Sequence, residues 1–562
     1  MDYKRLAELL FPDVTMTPEE LEEKYPPRNL PEGAKVTRFA PSPTGFVHIG
    51  GVYQTMVGER LAHQSGGVFY LRIEDTDAKR EVPGAAEGLI NTLARYGIRF
   101  DEGAAIGENG EIIDRGDYGP YKQSLRGDIY HVYAKKLVSE GKAYPCFTTE
   151  EELRALEAVD KKAEVKSREW TEETEAEQKA AMRRLREFTI EDVERNLAAG
   201  NRFVLRILAD GDPEKKTPFT DLVKGKLEIP ENDEDFVLLK SDGIPTYHFA
   251  HAVDDHLMRT THVIRGEEWL PSVAKHIQLF RYLGFRLPKY LHTAQIMRLD
   301  ENGNKKKFSK RDRGANMNDY ERDGYAPAAV SEYLLTVLNS NFEEWRMQNP
   351  DKPFTDFKFD IKKMCASGCL FDRAKIEDVS KNVVSRMSAD EVYAQLAGWA
   401  KVYDPEFFAL LDRDPDYARS ILAIGRGGKK PRKDYGLWSE VKAFIGFFYD
   451  ELFTREDEIP QNFDRGDVKA ALAAFADTLD YADDSNAWFE KIKKIASDLG
   501  YATDMRQYKA DPAAFRGSVA DVSMFIRVAV TGRMNSPDLY TVIHTIGMER
   551  TVQRVRELAA SL

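Results

Sequence analysis

Cysteine is scarce in this chain of 562 residues: there are three, Cys146, Cys365 and Cys369. Thiols so few and so scattered exclude a disulfide framework and fit a reducing cytoplasm. A structural zinc needs four ligands, and no further His or Cys lies close in sequence to Cys365 and Cys369, so no zinc site is expected. Long apolar runs are missing too. With none of about 18 residues or more, no membrane span is expected, and Met1-Asp2-Tyr3-Lys4-Arg5 opens an amphipathic run, not the apolar core of a secretory signal. Positive charge is in deficit, with 81 Lys and Arg against 94 Asp and Glu and a formal net charge of −13. That excludes a uniformly basic nucleic-acid binder, but a local basic stripe could still hold a polyanion.

What is present begins with Arg38-Phe39-Ala40-Pro41-Ser42-Pro43-Thr44-Gly45-Phe46-Val47-His48-Ile49-Gly50-Gly51. Ala34 to Phe39 is a β-prone run that two prolines must stop. Val52 to Ala62 carries apolar residues at helical spacing. A strand, a Gly-containing turn and a helix form a ready phosphate site, because the helix N-terminus points unpaired N–H groups at an anion and Gly50 and Gly51 allow close approach. His48 adds an imidazole where charge grows during phosphoryl or nucleotidyl transfer; a plain turn histidine is the alternative. Far downstream, Lys305-Lys306-Lys307-Phe308-Ser309-Lys310-Arg311 concentrates cations in an acidic chain, which suits a loop that closes on a triphosphate or, equally, a solvated basic loop.

Three further places draw attention. Val68 to Ile73 reads as a strand ending in Glu74-Asp75-Thr76-Asp77, and carboxylates just past a strand end sit where open α/β sheets bind ligands. Glu74 is the candidate partner for a substrate ammonium, while Asp75, Thr76 or Asp77 would cap the next helix. Tyr247 and His251 share a face if their segment is helical. Arg265, emerging from the apolar run His262 to Gly266, is costly to bury unpaired and points to an anion.

His48-Ile49-Gly50-Gly51 and Lys307-Phe308-Ser309-Lys310-Arg311 resemble the H-I-G-H and K-M-S-K-S signatures of class I aminoacyl-tRNA synthetases. With Arg72 to Asp77, Gly119 to Ser124, Pro245 to His248, Val253 to His256 and Val263 to Glu268, the chain from about Lys35 to Asn382 resembles glutamyl-tRNA synthetases of bacterial type. The resemblance implies a multidomain α/β plus all-α fold. Its expected parts are an N-terminal extension (1–34), a Rossmann-like catalytic domain (35–113 and 246–313), an inserted acceptor-arm domain (114–245), a stem-contact region (314–387) and a helical anticodon-binding domain (388–562). Length alone sets a prior of roughly four domains.

By resemblance, His48, Lys307, Ser309 and Lys310 are catalytic, and Thr44, His48, Gly50, Gly51, Lys307, Ser309 and Lys310 hold ATP with its Mg²⁺. Glutamate would meet Arg38, Ala40, Ser42, Glu74, Tyr247, His251 and Arg265, with Glu268 and Trp269 as further pocket candidates. Arg38 and Arg265 are expected on the side-chain carboxylate, where a neutral amide would leave them unmatched. The implied partners are L-glutamate and tRNA(Glu), for a cytoplasmic monomer with no membrane contact. An enzyme that also glutamylates tRNA(Gln), and a nucleotide- or RNA-binding protein that has lost catalysis, are the alternatives. Relatives with a zinc cluster carry it in the insertion, where this chain offers only Cys146. Gly51 replaces the second signature His, and Phe308 replaces an aliphatic residue. The run Arg426 to Lys433 is a candidate RNA-backbone surface or a solvated loop.

Overall fold

The computed structural model describes residues 1–77, 81–148, 152, 183–309 and 312–562. Most of the charged stretch expected as a helical block from Glu150 to Ala199 lies outside them, as does Lys310. The chain divides into two compact units, Met1–Asn318 with Leu334–Phe371, and Asp319–Tyr333 with Asp372–Leu562.

The first unit opens with α1 (Tyr3–Leu10) and α2 (Pro18–Lys24), then β1 (Val36–Phe39), α3 (Ile49–His63), β2 (Val68–Leu71), α4 (Ala85–Arg95), β3 (Glu102–Ile106), β4 (Ile112–Arg115) and α5 (Gly127–Ser139). It continues through β5 (Ala143–Cys146), α6 (Ile190–Ala198), β6 (Val204–Ile207), β7 (Lys216–Asp221), β8 (Gly225–Pro230) and β9 (Val237–Leu239). Next come α7 (Tyr247–Leu257), β10 (His262–Gly266), α8 (Val273–Leu283), β11 (Lys289–Thr293), β12 (Ile296–Leu299) and β13 (Lys305–Lys307). β1, β2 and β3 are parallel, with Arg38 opposite Tyr70, and β10 pairs in parallel with β11. Thr261 N–H donates to Val36 O at 2.9 Å and Arg38 Nη1 to Ile264 O at 3.3 Å, so β10 lies beside β1 and advances in the same sense. Pro41 and Pro43 follow the end of β1, and the buried face of α3 carries Val52, Tyr53, Met56, Val57 and Leu61 at the expected spacing.

One expectation is corrected here, and two elements go beyond the local signals. Residues Asp101 to Gly119, rich in glycine and acidic side chains, contain β3 and β4 paired antiparallel, Gly103 opposite Arg115 and Ile106 opposite Ile112. The glycine that obscured the strand is a packing requirement: Gly103 has φ of 115°, and a Cβ there would stand 2.2 Å from Leu71 O. Asp75 does not cap the following helix, whose N-cap is Gly84; it accepts from Ser124 N–H at 2.8 Å instead. The N-terminal segment holds a second helix, α2, marked by a Thr17–Glu20 capping box and Pro18 in the first turn.

That segment is tied into the first unit. Leu6, Leu21 and Tyr25 are buried, and Glu22 receives His256 at 2.5 Å and Arg259 at 2.7 Å. Arg28 grips Glu102 with two hydrogen bonds of 2.7 and 2.9 Å.

The second unit is helical, from Arg373–Arg386 to Met548–Ser561, around a core that includes Val392, Leu396, Phe407, Leu472, Phe525 and Val555. Its basic run splits in two. Arg426 turns inward onto Val384 O at 2.6 Å and the Tyr435 hydroxyl at 2.7 Å, and Arg432 pairs with Asp434 at 2.6 Å. Lys429, Lys430 and Lys433 remain exposed.

Candidate active site

His48 is the N-cap of α3, and its Nδ1 accepts from Gly50 N–H at 2.9 Å. A Cβ at Gly50 would come within 3.0 Å of that nitrogen, so glycine leaves room for the cap. The cap fixes the tautomer: with Nδ1 accepting, a neutral ring carries its proton on Nε2. Thr44 is half-buried and Ser42 exposed in the turn before it, and Ala40 is half-buried just past β1.

The two signature stretches meet. Ile49 N–H donates to Ala315 O at 2.9 Å, Met317 N–H to Val47 O at 3.0 Å, and the His48 and Phe308 rings lie edge to face at 6.3 Å. Lys307 is exposed on β13 opposite Met297. Phe308 is buried and stacks on Phe371 at 5.0 Å. Ser309 donates through N–H and Oγ to Asp312 Oδ2 at 2.7 and 2.9 Å, and Asp312 in turn holds Arg298 at 2.9 Å. The position of Lys310 is outside the described residues.

Beneath these loops runs a buried ion network centred on α7. Asp255 accepts from Arg72 Nη1 at 2.7 Å, from Arg38 Nη2 at 3.2 Å and from His251 Nδ1 at 2.8 Å. Burial pushes this carboxyl up, but Arg38, Arg72 and His251 together hold it well below the usual carboxylate range. Arg72 also donates to Glu74 at 3.0 Å; burial raises the Glu74 pKa, opposed by Arg72 and Arg38. The neighbouring Asp254 is held by Arg126 at 2.7 Å, Gln123 at 2.8 Å and Tyr130 at 2.8 Å. Burial lowers His251 to about 4, so its ring is neutral, with Nδ1–H on Asp255 and Nε2 facing the Tyr290 hydroxyl at 3.0 Å.

Arg38 and Arg265 were expected on one substrate group, yet their surroundings differ. Arg38 has its charge answered by Asp255. Arg265 is 4% exposed, and its Nε donates to His292 Nε2 at 2.9 Å and its Nη1 to His276 Nδ1 at 3.1 Å. Its Nη2 is buried without a hydrogen-bond partner. Its guanidinium lies over the Tyr290 ring at 4.7 Å. Among the described residues no carboxylate pairs with it. Tyr247 stacks on His251 at 5.7 Å and meets Trp269 at 4.3 Å, which closes an aromatic wall over this corner. Glu268 is exposed and accepts from Gln295 at 3.2 Å.

A capped helix at the end of a parallel strand, a neighbouring basic stretch and a buried guanidinium held by neutral rings suit an anionic amino acid beside a nucleotide. Residues 35–377 match the catalytic domain of the tRNA synthetases class I (E and Q), and residues 514–559 match an anticodon binding domain. The chain belongs to the class I E and Q tRNA synthetases. A glutamate-tRNA ligase of Acetivibrio thermocellus is 48% identical over 99% of this chain and 100% of that protein. One of Sorangium cellulosum is 46% identical over 97% and 99%. The crystal structure of a glutamate tRNA ligase from Elizabethkingia meningosepticum in complex with its amino acid has a TM-score of 0.70 and 26% identity, covering 94% of this chain and 99% of that one.

This synthetase chain thus brings together Arg38, Glu74, Tyr247, His251 and Arg265 in one unit. Sequence reasoning gave no role to Arg72, Arg126, Asp221, Asp254, Asp255, His276 or His292. For Asp255 a signal existed, since it follows His251 by one helical turn; His276 and His292 stand in no motif and gave none. Cys369 is buried with its Sγ 3.6 Å from the Tyr53 hydroxyl, and among the described residues no group of three His, Cys, Asp or Glu is placed to hold a metal.

Proposed function

We propose that this synthetase ligates L-glutamate to tRNA(Glu) through a glutamyl-adenylate. In the first step the glutamate α-carboxylate attacks the α-phosphorus of ATP, and pyrophosphate leaves. In the second, the 2′-hydroxyl of the terminal tRNA adenosine attacks the adenylate carbonyl and releases AMP. The α3 N-terminus with Thr44, His48, Gly50 and Gly51 faces the phosphates, where His48 Nε2–H can donate to oxygens that gain charge. Lys307, Ser309 and Lys310 act from the second signature. ATP enters as its magnesium complex, the ion travelling with the substrate's own phosphates.

Glutamate lies against Arg38, Ala40, Ser42, Glu74, Tyr247, His251 and Arg265, with Trp269 and Glu268 at the margin. Glu74 takes the ammonium group. The observation that carries the choice of amino acid is Arg265, buried, held by two histidines and, among the described residues, with Nη2 unmatched. An acidic side chain completes it, whereas an amide leaves a buried charge unpaired. In the same reading, residues 114–245 hold the acceptor arm, 314–387 the stem and 388–562 the anticodon, in a cytoplasmic monomer.

Aminoacylation with radiolabelled glutamate, on purified tRNA(Glu) and tRNA(Gln) in separate reactions, tests this. Charging of tRNA(Glu) alone is expected. Charging of both identifies a non-discriminating enzyme, and binding of both without charging overturns the catalytic reading.

A further inference from the structure

Behind Arg265 stand five side chains that no substrate contact uses. His292 is its register partner on β11, and His276 comes from α8. Guanidinium nitrogens only donate, so His292 Nε2 and His276 Nδ1 must accept through lone pairs. The remaining ring protons then have fixed destinations. His292 Nδ1–H goes to Asp221 Oδ2 at 2.7 Å, and His276 Nε2–H goes to His248 Nδ1 at 3.0 Å. Asp221 also takes the N–H groups of His292 at 3.0 Å, Val223 at 2.9 Å and Lys224 at 2.8 Å, which spread its charge over backbone dipoles at the end of β7. Tyr290 supplies the flat face beneath the guanidinium.

Arg38, one strand away, is held by a carboxylate; Arg265 is held by uncharged rings. The difference decides which guanidinium can attract an anion. A carboxylate partner satisfies donors and cancels charge together, but an imidazole lone pair satisfies donors and leaves the charge in place. We propose that His276 and the Asp221–His292 pair are positioning residues that fix Arg265 with neutral acceptors and so set the enzyme's preference for an acidic amino-acid side chain over its amide. This rests on the reading that Arg265 receives the substrate carboxylate. Burial agrees with it, pushing His276 well below its ordinary value and lowering His292 despite Asp221. A merely structural histidine pair would have no need to exclude charge at both contacts.

The test compares His276→Gln, which keeps an acceptor, His276→Leu, which removes it, and His276→Glu, which adds a charge. Each full-length variant is assayed with tRNA for kcat and KM toward glutamate, and for inhibition by glutamine as the competing ligand. Thermal melting checks that each one folds. The Gln variant is expected within about 3-fold of the parent. The Glu variant is expected to raise the KM for glutamate, with little change in kcat, and to lower the glutamate-to-glutamine preference by ~10-fold or more. His292→Gln and His292→Glu repeat the comparison from the other side of the guanidinium, and decide the matter if His276→Glu does not fold. Equal effects of acceptor, apolar and charged replacements, with an unmoved preference, overturn the inference. Arg265→Leu separates the two levels. An unchanged KM for glutamate in that variant sinks the carboxylate reading itself, whereas a large rise in KM there, with no effect of the histidine charge variants, sinks the positioning role alone.

Discussion

Asp255 and Arg38 pair at 3.2 Å with both side chains almost wholly out of water. Asp255 also binds Arg72 and His251, so one carboxylate joins β1, the end of β2 and α7. Replacing Asp255 with Asn leaves two buried guanidinium groups short of countercharge. The expected loss is about 3–5 kcal/mol, the usual result of breaking a buried pair from one side. Urea denaturation of the parent and of Asp255→Asn checks it; a difference under ~1 kcal/mol would show the network to be dispensable.

Acid should weaken the fold before carboxylates titrate. Burial holds His248, His251 and His262 at about 4, against an unfolded value of about 6.5. Between those values the unfolded chain binds protons that the folded chain refuses, so stability is full above about pH 6.5 and falls as pH drops toward 4. The apparent Tm is expected to decline steadily from pH 7 to pH 5, and a flat profile over that range would contradict the neutral assignment.

Packing, more than ion pairing, holds the N-terminal segment. The Glu22 side chain is 41% exposed, so its pairs with His256 and Arg259 are screened, and Glu22→Ala should cost at most about 1 kcal/mol. Tyr25 is 1% exposed, sits against Arg126 and donates to Gly119 O at 2.8 Å. Tyr25→Ala should cost about 3–5 kcal/mol, by analogy with other large-to-small aromatic truncations. Hydrogen exchange across residues 1–34 reads both variants, and the opposite ranking would mean that charge dominates.

Phe308 fills space in the second signature. Phe308→Met keeps volume and should leave activity within a few-fold, at a cost of ~1.5 kcal/mol or less. Phe308→Ala empties the stack on Phe371 and loosens the contact with the His48 ring. A rise in the KM for ATP is expected for Ala alone. Equal kinetics in the two variants would show that the ring has no part in placing the loop.

The strand, turn and helix around His48 were legible because prolines, glycines and helical spacing are local signals. Tyr247 and His251 were legible for the same reason, four residues apart on one helix. The β3–β4 pair was not, since Gly103 answers to Leu71 on a neighbouring strand and looks like a loop residue by itself. The contrast between Arg38 and Arg265 was also hidden. It depends on which residues the fold brings to each guanidinium, Asp255 in one case and two histidines in the other, and those contacts reach across as many as 217 residues of sequence. The α2 helix could have been read from its capping box at Thr17 and Glu20.

Glu22 and Arg259 are joined across a separation of 237 residues. During synthesis Glu22 therefore leaves the ribosome well before its partner exists, an interval of about 10–50 s at ordinary elongation rates. The adjoining Tyr25 finds its partners sooner, at Gly119 and Arg126. The strap thus settles in two stages, first onto residues just before α5 and onto Arg259 only after α7 has been made.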